Sequence, residues 1–218
     1  MALVKYNNNS ISAITSAASI PSGALTHIKT LTASSSSTLS FVHGSSDVVL
    51  DSTYPIYVFK FINIHPATDA TKFTFNGSDD DSSHSYDVVK TSTAFVAYHH
   101  ESAPGGPFSN ESLTYDGGGD LAQGTGFQNL SYDVGADADQ SISGQLWLYN
   151  PSSTTFVKHW MSDIQHSGPG GGSSAGTSDR FFTAGYFNTT ADITAIQFKQ
   201  ASGNLDSGKI KLYGIKDS

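Results

Sequence analysis

The densest grouping of side chains able to hold a metal or move a proton is His99-His100-Glu101, with His84 and the run Asp79-Asp80-Asp81 upstream. Neighbouring residues on a strand point to opposite faces, so His99 and His100 cannot ligate one ion without a bend. Solvent-facing loop positions are the better reading for them. Asp133, Asp137 and Asp139 lie around Gly135 in the manner of a partial calcium loop, but the bidentate Glu that closes such a loop is missing. Hydrolysis would require a nucleophile elbow or a carboxylate pair in a defined setting, and neither is identified. The Gly-rich stretches 117–119 and 168–176 are not followed by Gly-Lys-Ser/Thr, so they read as loop tips rather than phosphate cradles. No catalytic, cofactor-binding or metal-binding residue is assigned.

Aromatic side chains carry the remaining chemistry. Trp147, Tyr149, Phe156, Trp160, Phe181, Phe182, Tyr186, Phe187 and Phe198 could line a sugar platform or fill a core and a subunit interface. Large rings bury much apolar area, which favours core and interface. Tyr98, Phe108 and Tyr115 fall in a less regular stretch and are the candidates for surface contact.

The elements that would position these residues are strands. Only 14% of the 218 residues are charged, against roughly 25% in ordinary soluble domains, while 13 Phe and 10 Tyr recur in short bursts. Residues 24–32 alternate with period 2, and a Ser-rich turn leads to Leu39, Phe41 and Val42, which predicts an opening hairpin. Residues 54–64 form the strongest strand, apolar on both faces except at Lys60 and Asn63, as expected in the middle of a packed sheet. A short strand over 72–76 follows. Residues 77–128 are expected to be mainly long loops, with a short helix near 121–130. A second hairpin joins 141–149 to 155–161 through Asn150-Pro151-Ser152-Ser153, and strands are expected over 181–187, 193–200 and 209–215. Eight to ten strands around one irregular middle predict an all-β, jelly-roll-like two-sheet sandwich. Residues 1–22 read as an extended N-terminal arm for attachment or subunit exchange, and 23–218 as a single domain.

A net charge of -8 with only 11 Lys and Arg argues against nucleic acid as a partner. Cysteine is absent, which excludes disulfides and thiolate metal sites. Neither a signal-peptide core nor an apolar run of membrane-spanning length occurs, so synthesis in the cytoplasm without membrane insertion is expected.

Four segments carry a resemblance: Met1-Ala2-Leu3-Val4-Lys5-Tyr6-Asn7-Asn8, residues 57–69, Tyr149-Asn150-Pro151-Ser152-Ser153 and the closing residues 202–215. Together they resemble a family of uncharacterised structural proteins of marine tailed phages, including phages of cyanobacteria. The resemblance covers nearly the whole chain and implies a non-enzymatic virion component. Under that reading the protein is an oligomeric appendage or fibre-type component, a homotrimer, contacting other virion proteins and the host surface glycan. Capsid decoration and a carbohydrate-binding module are the alternatives. Leu3, Val4, Tyr6 and Ile11 are the candidate attachment residues.

Overall fold

The computed structural model describes residues 25–101, 111–115, 117–169 and 176–216. The expected arm, with Leu3, Val4, Tyr6 and Ile11, and the candidate Phe108 lie outside the described residues.

Among the described residues, twelve strands build two antiparallel sheets. In chain order they are β1 (Leu25–Thr32), β2 (Leu39–Val42), β3 (Ile56–Pro66), β4 (Phe73–Ser78), β5 (Lys90–His100) and β6 (Glu111–Tyr115). The others are β7 (Gln128–Asn129), β8 (Ile142–Tyr149), β9 (Lys158–Gly168), β10 (Thr177–Phe187), β11 (Ala195–Gln200) and β12 (Leu205–Ile215). The larger sheet runs β1-β12-β3-β8-β9-β10-β5-β6 and the smaller β2-β11-β4-β7. Without β5, β6, β9 and β10, the eight remaining strands, renumbered in chain order, read 1-8-3-6 in one sheet and 2-7-4-5 in the other. That is the jelly-roll order, in which the chain repeatedly changes sheet. The extra strands arrive as two antiparallel pairs, β5–β6 and β9–β10, which prolong the larger sheet beyond β8.

Apolar residues on alternate positions of both sheets meet in one core. Tyr57, Phe59 and Phe61 of β3 and Leu146 and Leu148 of β8 face Phe41, Phe73, Phe75, Ile196 and Phe198 of the smaller sheet. Phe198 is the centre of this packing, with ring centroids 5.2 Å from Phe59 and Phe61, 5.8 Å from Phe73 and 6.2 Å from Phe41. The strong apolar stretch lies between β12 and β8, inside the larger sheet as its pattern predicts. Its register slips between Phe61 and Ile64, where Asn63 (φ 48°) faces Gly208 (φ 113°). Such a bulge bends and coils a long strand.

Three local expectations change. β1 and β2 form no hairpin: β1 pairs with β12 and β2 with β11, so residues 33–38 cross between sheets. Residues 121–130 are not helical. Gly124 exchanges two backbone hydrogen bonds with Lys90, and Gln128 and Asn129 pair with β4, so this glycine-broken stretch closes a sheet edge. The middle is also less loop-like than expected, because all eleven residues of β5 pair with β10. No helix among the described residues is long and apolar enough to cross a membrane.

Candidate functional site

Where the larger sheet extends past the core, its inward face changes character. Ile164, Phe181 and Val96 stand opposite one another on β9, β10 and β5 and form an apolar row, with Thr114 of β6 next to Val96. The next inward row is His166, Asp179 and Tyr98, and the one after it Gly168, Thr177 and His100. Period-2 alternation places these groups on one face, and antiparallel register sets them side by side.

The polar row is not solvated. The side chains of His166 and Asp179 are only 0% and 5% exposed, with His166 Nδ1 lying 3.6 Å from Asp179 Oδ2. The backbone N–H of Tyr132 donates to His166 Nε2 at 3.2 Å, which leaves the imidazole proton on Nδ1, towards Asp179. Thr177 Oγ1 donates to Asp179 Oδ2 at 2.8 Å. Burial pushes His166 down to about 4, so its imidazole is neutral at pH 7. Desolvation raises the Asp179 carboxyl above its ordinary value, as does the charge of Asp133, against the opposing hydrogen bond from Thr177 and the charge of His100.

Asp179 and Thr177 border a cavity of about 410 Å³ between β5, β6, β10 and the turn at Tyr132 and Asp133. Val96 supplies an apolar wall, Tyr98 and Tyr132 aromatic ones, and Thr114, Thr177, His100, Asp133 and Asp179 polar ones. The Tyr98 and His100 rings meet edge to face with centroids 5.7 Å apart. The arrangement offers aromatic faces, hydroxyls and two carboxylates within one concavity. Among the described residues no three His, Cys, Asp or Glu side chains converge as a metal-binding group.

The other face of the extended sheet is apolar and open. Tyr115, Phe95 and Phe182 stand opposite one another, as do Ala184, Met161 and Trp147. Phe95 is 43% exposed, Leu113 72%, Tyr115 59% and Met161 54%. The Phe95 and Phe182 rings stack with centroids 4.8 Å apart. Arg180 and Asp163, on the same face, neutralise each other through bonds of 3.0 and 2.8 Å.

Of the contact candidates, Tyr98 lines the cavity, whereas Tyr115 lies on the opposite face with its hydroxyl bonded to the Asp120 carboxylate. The structure therefore separates two residues that the sequence groups together. His99 and His100 do point apart, and only His100 reaches the cavity. Trp160, Phe181, Phe187 and Phe198 are fully buried, while Phe156 is exposed. Sequence reading overlooks His166 and Asp179, although inward polar residues within the alternation of 158–168 and 177–187 are a usable signal. It also overlooks that residues 172–176 spell Gly-x-Ser-x-Gly. That run falls between β9 and β10 in sequence, and its residues 172–175, Ser174 included, lie outside the described residues. No family model, curated protein or solved structure matches the chain.

Proposed function

We propose that this chain is a non-enzymatic structural protein of a tailed-phage virion: an oligomeric surface appendage or fibre-type component, anchored to the particle and touching host surface glycan. The observation that carries this reading is the open apolar face of the extended sheet, with Phe95, Leu113, Tyr115 and Met161 all more than 40% exposed. A contiguous apolar face of this kind is the usual mark of an association surface. The Arg180–Asp163 ion pair on this face neutralises itself, so these two residues do not set one copy of the face against another. A second copy of this chain is the occupant that fits. The chain-long resemblance to structural proteins of marine phages supports the virion setting.

Immunogold labelling of intact virions with antibody against the chain tests membership and position together. Label on the tail or its fibres supports an appendage, and label spread over the head replaces that with capsid decoration. Unlabelled particles, with the antibody shown to recognise dissociated virions, remove the appendage reading. Light scattering on the purified chain tests self-association, and a strict monomer contradicts it.

A further inference from the structure

We infer that the cavity lined by Tyr98, Tyr132, Asp133 and Asp179 is a binding site for an uncharged sugar residue. This deepens the host-contact part of the proposed function and rests on that reading.

The argument begins with the cost of the site. His166 and Asp179 occupy inward-facing strand positions, where the neighbouring row is Ile164 and Phe181, and both are buried. A buried polar pair with an incomplete hydrogen-bond set lowers stability relative to apolar residues of similar size. His166 Nδ1 has no partner within hydrogen-bond distance, and Asp179 Oδ2 is 3.6 Å away. What the pair provides is orientation: the Tyr132 backbone holds the imidazole, while the imidazole and Thr177 flank the carboxylate at the cavity wall. Fixing an acceptor before a ligand arrives removes ordering cost from binding.

The lining then selects the ligand. Carboxylates accept from hydroxyl donors in charge-assisted bonds, and an aromatic face covers the apolar side of a pyranose ring. Asp133, Asp179, Thr114 and Thr177 supply the first kind of contact, and Tyr98 and Tyr132 the second. The volume of about 410 Å³ falls within the roughly 300–1,000 Å³ of small-molecule sites. The Asp133 carboxylate at the cavity wall disfavours phosphate, sulfate or uronate.

The test is ligand-observed NMR on the full chain with the methyl glycosides of glucose, galactose, mannose and N-acetylglucosamine, and with glucuronate as the acidic comparison. At least one neutral glycoside is expected to bind, and glucuronate is not. For that glycoside, Tyr98→Leu and Asp133→Asn should each weaken affinity about tenfold or more, while Ile62→Ala, at an exposed position of β3 away from the cavity, leaves it unchanged. Asp133→Asn is nearly isosteric, Tyr98→Leu keeps an apolar side chain against Val96 and Phe181, both leave the His166–Asp179 pair intact, and an unaltered melting temperature confirms folding. Absence of binding by every neutral glycoside overturns the inference, as does binding that survives both cavity variants. Labelled virions with no sugar binding would sink the site but leave the virion reading standing. Sugar binding with unlabelled intact virions would leave the site standing and remove the appendage reading.

Discussion

Lys90 offers the most direct check on the packing. It stands opposite Phe187 on the inward face and is fully buried, with Nζ donating to Asn76 Oδ1 at 2.6 Å and to the Val88 carbonyl at 2.7 Å. Burial pulls its ammonium from 10.5 down to about 8, against a smaller opposing pull from Asp87. The unfolded chain therefore holds this proton more tightly than the folded one. Below about pH 8 both states are protonated and the cost of burial is constant; between about pH 8 and 10.5 the folded state sheds the proton first, and stability rises with pH. At about 1.4 kcal/mol per unit, the gain between about pH 7 and pH 10 is about 2–3 kcal/mol. Urea unfolding of the wild type and of Lys90→Met at both pH values isolates this contribution. Other titrating groups, including Tyr57, whose hydroxyl burial raises strongly, are common to both proteins and cancel in the difference. The wild type should gain about 2–3 kcal/mol relative to the variant on going to the higher pH. An equal pH response in the two proteins would refute the desolvated ammonium and the packing around it.

Phe198→Ala should cost about 3–5 kcal/mol in chemical unfolding, at the upper end for a core aromatic, because its ring meets aromatic partners from both sheets. Gly208→Ala should lower the melting temperature, since an added Cβ would lie 2.7 Å from Ile64 Cα at a backbone φ of 113° that side chains resist; an unchanged melting curve would argue against the bulge. Phe95→Lys combined with Met161→Lys should shift the chain towards monomer in light scattering with little change in melting temperature, because both side chains are exposed on the apolar face. An unaltered oligomer would move the interface elsewhere.

Much of the candidate site was hard to read in sequence for a definable reason. Along β5 the inward residues are Lys90, Ser92, Ala94, Val96 and Tyr98, a row with little apolar contrast against its outward neighbours. Periodicity is visible only where one face is markedly more apolar than the other, so the strand looked like loop. The mixture arises because the first half of β5 meets polar side chains of the smaller sheet, Lys90 with Asn76 and Ser92 with Gln128, while the second half lines a cavity. Tyr98 was recognisable as an aromatic in an irregular stretch, but its neighbours Asp179 and Asp133 come from distant segments.

The sequence by itself determined the all-β class, a long central strand, expected over 54–64 and found over 56–66, and the β8–β9 pairing across Asn150-Pro151, since alternation, β-branched and aromatic content and turn residues are local properties. Only the tertiary structure decided that β1 and β2 part to different sheets, that β5 joins β10, and that Asp179, Tyr98 and Asp133 line one cavity with His166 packed beside Asp179. Alternation tells a strand which of its faces is buried; the choice of partner depends on non-local pairing and on how two sheets close over a shared core.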